Sequence, residues 1–120
     1  MTVKVEIPLK LPSLNEYINE CRGNRFKANA YKKSIQDQIG WNLIRVQKFK
    51  NPVWLHFHWI EANRKRDLDN IASAKKFILD EMVEMGILQG DGWRYIRGFD
   101  DTFEVGDEYK VILYIDEETL

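Results

Sequence analysis

The sequence predicts an α+β fold. It is a two-layer sandwich in which a small mixed β-sheet carries two main helices, in the order β-α-β-α-β-β. Three observations lead there. Apolar residues alternate along "VKVEIPL" (Val3 to Leu9), as in a half-buried strand. "VWLHFHWIEA" (Val53 to Ala62) is aromatic and β-branched enough for a buried strand. Two other stretches space their apolar residues at a helical period. Strands and helices alternate too sparsely for a doubly wound sheet, so helices gathered on one sheet face are the economical solution.

In chain order, Val3, Val5 and Ile7 make the buried face of the first strand, and Pro8 and Pro12 break regularity after it. Residues 13–28 are polar and hold Asn15, Asn19, Gly23 and Asn24, which predicts a loop or short turns. From about Ala30 to Lys48, Tyr31, Ile35, Ile39, Leu43 and Val46 share one helical face. Gly40 weakens this helix without ending it. Asn51-Pro52 is a stop before the second strand. A second helix is predicted from about Asn70 to Met85, closed by Gly86 in a left-handed cap. "QGDGW" reads as a turn. "RYIRGFD" and "YKVILYI" read as two closing strands joined by the acidic "DDTFEVGDE", and the tail "DEETL" is expected to fray.

A chain of 120 residues fits one domain, 1–120, with its own core. A single cysteine, Cys21, excludes an internal disulfide framework and fits a reducing compartment. No apolar run approaches the ~18 residues of a membrane span. The N-terminus alternates instead of forming an apolar signal core. A cytoplasmic location without membrane association is therefore expected. Neither G-x-G-x-x-G nor a P-loop occurs, so no small-molecule cofactor is expected.

The net charge of −1 hides an asymmetry. Residues 1–66 hold 13 Lys/Arg and 5 Asp/Glu, whereas residues 67–120 hold 5 and 14. From Cys21 to Lys50 there are eight cations and one acid, Asp37. Opposite blocks of this kind either bind nucleic acid with one half and a metal with the other, or neutralise each other across the fold.

"KRDLDNIASAKKF" (Lys65 to Phe77) sharpens the choice. Asp67 and Asp69 lie between a strand end and a helix start. One of them can cap the helix. The second is then unexplained, as are Arg64, Lys65 and Arg66 before it. Two carboxylates on a short extended segment can instead point at one hard cation such as Mg²⁺, which keeps waters and bridges to phosphate. Asp91, in the turn after the helix, is a third candidate ligand. Flanking cations suit a phosphodiester substrate.

At 100° per residue Lys76 lies within about 20° of Asp69, and Asp80 shares that face. Lys75 points toward Ile71, Ile78 and Met82, the core side. Lys76 is the better candidate to reach a phosphate, although a Lys76–Asp80 surface pair is the bland alternative. His56 and His58 share a strand face, but no second H-x-H or C-x-x-C accompanies them, so ordinary sheet histidines are expected. Trp41, Trp54, Trp59 and Trp93 are expected in core or interface, not as base-stacking residues.

The stretch "RKRDLDNIASAKKFILDEMVEMGILQGD" resembles the RusA family of Holliday-junction resolvases, small endodeoxyribonucleases of bacteria and their prophages. The elements shared are Arg66-Asp67-Leu68-Asp69-Asn70, then Lys76, Asp80, Gly86 and Asp91. An N-terminal strand leading to "PLKLPSLNEY" and a basic first helix agree more loosely. The interval from Asp69 to the lysine is about three residues longer than in the shorter family members. That leaves Lys75 as the alternative to Lys76. Gly90 stands where many relatives have an acid.

The resemblance implies a Mg²⁺-dependent homodimer that nicks four-way DNA junctions symmetrically, in recombination and repair. It implies catalytic roles for Asp67, Asp69, Lys76 and Asp91, the three aspartates holding the metal. The basic residues Arg22, Arg25, Lys27, Lys32, Lys33, Arg64, Lys65 and Arg66 are then the DNA contacts. A nuclease for other branched DNA and a non-catalytic junction-binding protein are the alternatives. One unbroken helix of about 16 residues would be ~24 Å long, and the five residues from Gly86 to Asp91 span at most roughly 17 Å. Asp91 would join Asp67 and Asp69 only if that helix were shorter or bent, or from the other subunit. The second option is the one expected.

Overall fold

Along β2 (Val53–Glu61) the side chains of Val53, Leu55, Phe57, Trp59 and Glu61 are buried, while Trp54, His56 and His58 face outward. A strand with this alternation has one covered face. The cover is helical. The computed structural model describes residues 2–119. Around β2 they form β1 (Thr2–Ile7), α1 (Leu14–Glu20), α2 (Arg25–Trp41), α3 (Leu68–Ala72), α4 (Lys75–Glu84), β3 (Ile96–Val105) and β4 (Lys110–Glu117). The fold is the α+β two-layer sandwich that the sequence predicts, with α2 and α4 as its two main helices.

The sheet order is β1-β4-β2-β3. β4 runs antiparallel to both β1 and β2, and β3 runs parallel to β2. A parallel pair needs a crossover connection, and α3 with α4 provides it. Ile35 and Ile39 of α2 and Phe77, Ile78 and Met82 of α4 meet Leu55, Phe57, Trp59, Leu113 and Ile115 in one core. Each such side chain contributes about 1.5–3 kcal/mol on leaving water. Among the described residues no helix is long and apolar enough to cross a membrane.

Several elements depart from the sequence reading. Residues 14–20 are helical, not loop. Ser13 caps them, its hydroxyl accepting from the Glu16 N–H at 3.0 Å. The first long helix begins at Arg25, where Asn24 accepts from the Lys27 N–H at 2.9 Å, and it stops at Trp41, one residue past Gly40. Leu43 is buried all the same, through a turn in which its N–H bonds the Gly40 carbonyl.

The second long helix is two helices. Ser73 marks the break. Its hydroxyl donates to the Asn70 carbonyl at 2.6 Å and accepts from the Leu14 N–H at 3.0 Å. A serine bonding back to its own helix bends it, and here the same oxygen also ties the bend to α1. Gly86 closes α4 at φ 77°, the left-handed cap expected, with the Ile87 N–H on the Met82 carbonyl.

The acidic "DDTFEV" is strand, not connection. Asp101 turns inward, accepting from Trp59 Nε1 at 2.8 Å and pairing with Lys75 at 2.5 Å. On the outer face Asp100 and Glu104 meet His56 and His58 at 2.5 and 3.0 Å, with Thr102 bonded to both rings. The tail is tied down as well, as far as Glu118, and Leu120 lies outside the described residues. Glu117 accepts from the Lys50 and Asn51 N–H groups, and Glu118 pairs with Arg97. Of the four tryptophans only Trp59 lies in the core; Trp41, Trp54 and Trp93 are exposed.

Candidate functional site

β2 ends at Glu61, and "ANRKR" turns the chain toward α3. The turn is held locally, Asn63 Oδ1 accepting from the Lys65 N–H at 3.0 Å. Asp67 then occupies the N-cap of α3 in extended conformation, but its side chain makes no capping bond. Asp69 lies in the first turn. Both carboxylates are exposed, and neither makes a hydrogen bond or ion pair among the described residues. Capping therefore does not account for the pair. Asp67 borders an open cleft of about 360 Å³ with Arg64, Leu68, Ile71, Phe103 and Glu104.

The cations sort into committed and free. Arg66, expected as a DNA contact, is committed to partners within the chain. Its guanidinium grips Glu61 through two bonds of 2.9 and 2.8 Å, donates to the Leu11 carbonyl at 2.8 Å and reaches Glu16 at 3.3 Å. Burial of Arg66 works against its charge, but the bonds to Glu61 and Glu16 outweigh it and raise its pKa. Arg66 thus joins β2, α1 and the loop after β1, and it holds the root of the Asp67 segment.

Lys27 pairs with Glu20 at 3.3 Å and Lys33 with Asp37 at 3.7 Å. These exposed pairs are weak and open to exchange for phosphate. Lys32 reaches Asp80 at 3.3 Å. Arg22, Arg25, Arg64 and Lys65 are exposed and make no ion pair among the described residues.

The two lysines of α4 part company. Lys75 lies inward. Its ammonium sits on Asp101 and 4.3 Å from the centre of the Phe99 ring. Lys76 lies outward, 3.0 Å from Asp80 and 3.6 Å from Asp91. The bond to Asp80 raises its pKa, burial opposing and Asp91 adding, so it is held as a cation. This division agrees with the helical geometry read from sequence. Asp91 is drawn back onto the first turns of α4 in its own chain. The premise for a contribution from another subunit, an unbroken helix, does not hold.

Asp67 and Asp69 stand at the start of α3, and Asp91 is engaged by Lys76. Among the described residues no three His, Cys, Asp or Glu side chains are gathered as a metal seat. The expected set of Asp67, Asp69 and Asp91 is therefore not assembled. Asp67 and Asp69 alone keep the donor chemistry that suits Mg²⁺: hard carboxylate oxygens, unpartnered among the described residues, that leave room for water and phosphate. Sequence reasoning missed Asp101 as the partner of Lys75, since an acid within an acidic run carries no sign of pointing inward. No protein-family model matches the chain, and no curated protein matches it.

Proposed function

We propose that this chain is a Mg²⁺-dependent endonuclease of the RusA type, acting as a homodimer on four-way or otherwise branched DNA. One observation carries the reading. Among the described residues, Asp67 and Asp69 are left without partners beside Arg64 and Lys65, which are also left without partners. Uncompensated opposite charges side by side gain little for stability and suit a polyanionic substrate that brings its own cation.

The roles follow from position. Arg22, in the turn before α2, and Arg25, at its start, bind backbone phosphates, and Lys27, Lys32 and Lys33 reinforce them when their carboxylate partners are exchanged. Arg64 and Lys65 hold the phosphates nearest the carboxylates. Asp67 and Asp69 would hold Mg²⁺. When bound, it supplies charge neutralisation at the scissile phosphate and a more acidic attacking water. Lys76 offsets charge that builds on the phosphate oxygens. Arg66 fixes the segment that bears the carboxylates. A two-fold dimer would present two such sites to opposed strands of a junction.

Incubation with a labelled four-way junction, with matched duplex and flap controls, tests the reading. Mg²⁺-dependent nicking of the junction is expected, and none with chelator. A second reading, a junction-binding protein without cleavage, is favoured by the engagement of Asp91 with Lys76. Binding without cutting at any Mg²⁺ concentration would select it.

A further inference from the structure

Trp93 is 94% exposed, the most exposed large apolar side chain among the described residues. Its surroundings are not those of a protein-docking patch. Gly92 precedes it, Arg94 follows it, and the exposed Asp91 is two residues back. A docking patch needs contiguous apolar area, and the residues that flank Trp93 in the chain supply none.

The backbone beneath it is fixed. The N–H groups of Tyr95 and Ile96 both bond the Gly92 carbonyl at 3.0 Å. Arg97 donates to the Trp93 carbonyl at 3.0 Å and is itself held by Glu118. The Val53 N–H on the Tyr95 carbonyl pins the turn to β2. The Tyr95 ring packs so closely on Gly90 that a Cβ there would lie 2.8 Å from it. Lys76 clips the start of the turn through Asp91. A rigid turn thus presents an unpartnered indole, with Arg94 beside it and Lys76 at its base.

We infer that Trp93 is a stacking platform for one unstacked nucleobase of single-stranded or branched DNA, next to the Lys76–Asp91 pair. An indole offers a broad face to any base, and neighbouring cations take the flanking phosphates. The turn is already ordered, so little freedom is lost on binding. Bases at a branch point or in a single strand are the least costly to unstack. The inference rests on the DNA-directed reading above and adds which residue reads the departure from regular duplex.

The test compares wild type, Trp93→Ala and Trp93→Phe for affinity toward a four-way junction, a single-stranded oligonucleotide and a duplex, in chelator. Trp93→Ala should bind junction and single strand roughly 5- to 150-fold more weakly, the loss typical of one stacked base. Duplex affinity should stay within about 2-fold, and Trp93→Phe should retain most of the binding. Tryptophan emission should fall when wild type binds single strand, and this quenching should vanish in Trp93→Phe. Equal affinities of Trp93→Ala and wild type for all three DNAs would overturn this inference and leave the DNA-directed reading standing. Equal weakening on duplex, or quenching that persists in Trp93→Phe, overturns it likewise. Failure of wild type to bind any DNA overturns both.

Discussion

Lys76 reaches Asp91 across the turn that follows its own helix, Nζ to Oδ2 at 3.6 Å, while holding Asp80 at 3.0 Å. With Lys32 on the other oxygen of Asp80, the four residues form an alternating chain of charge across α2, α4 and the turn. On the proposed reading, a DNA phosphate arriving there would meet a lysine already in place and already charged.

The two adjacent lysines should therefore fail in different ways. Lys76→Ala should lower cleavage by ~10²–10³, the usual cost of one charge-stabilising donor, with little change in stability. Lys75→Ala strands Asp101 in a largely buried position and should cost about 3 kcal/mol of folding free energy. Single-turnover kinetics and urea unfolding, run on both variants, separate the effects. A stable but inactive Lys75→Ala would reverse the assignment.

Asp67→Asn and Asp69→Asn should each abolish cleavage while leaving junction binding intact. Neither carboxylate has a partner to lose, and asparagine keeps the capping ability at position 67. Unfolding free energies should stay within about 0.5 kcal/mol of wild type. Near-normal cutting in Mg²⁺ by either variant removes them from the site.

If Asp91→Asn loses activity through its contact with Lys76, mixing it with inactive Asp69→Asn asks whether Asp91 serves its own chain. Lys76 already draws Asp91 onto α4 of that chain, so no activity should return. Recovered nicking of one strand would show that Asp91 acts across the dimer.

DNA affinity should fall steeply with salt, because neutralised phosphates release counterions. Arg22→Ala and Arg25→Ala should each reduce the slope of log affinity against log salt by about 0.9, since these side chains have no ion-pair partner among the described residues. Lys33→Ala, whose charge is shared with Asp37, should change the slope less. Unaltered slopes in both arginine variants would place the DNA elsewhere.

Glu81 supplies a pH prediction. It lies buried against α2, its carboxylate where a side chain at Gly40 would collide with it. Burial first, then Glu84 and Asp37, raises its pKa above the ordinary 4.5. The native state thus binds a proton more tightly than the unfolded chain. This group's contribution is most favourable below the ordinary value and is lost as pH rises through the raised one. Glu81→Gln should increase the melting temperature at neutral pH, with the gain shrinking toward pH 4 (about the ordinary carboxylate value). A gain independent of pH between those limits would sink the assignment.

Much of the fold was legible because it depends on local pattern. Alternation in Val3–Ile7 and Val53–Glu61, helical spacing in Tyr31–Ile39, and Gly86 as a left-handed cap all act within a few residues. α1 was legible too, since "SLNE" has the Ser-x-x-Glu form of a capping box, but its polar composition masked the helix. The outward Lys76 and inward Lys75 followed from their spacing to Asp80, Ile78 and Met82 within α4, although placing Lys76 on the face of Asp69 assumed an unbroken helix.

What the sequence determined by itself was therefore the class of fold, the strand and helix faces, and a D-x-D between cations at a helix start. Only the tertiary structure decided which charges are free. Arg66 reads like Arg64 in the sequence, yet Glu61, Leu11 and Glu16 meet around one and not the other. The acidic run at Asp100–Glu104 reads as a loop, yet it pairs along β2 as a strand, and Lys75, Trp59 and the two histidines supply partners for its acids. Residue type gives a side chain's charge. Whether that charge is cancelled depends on what lies a few ångströms away, and those neighbours come from elements 5 to 55 positions distant in the chain.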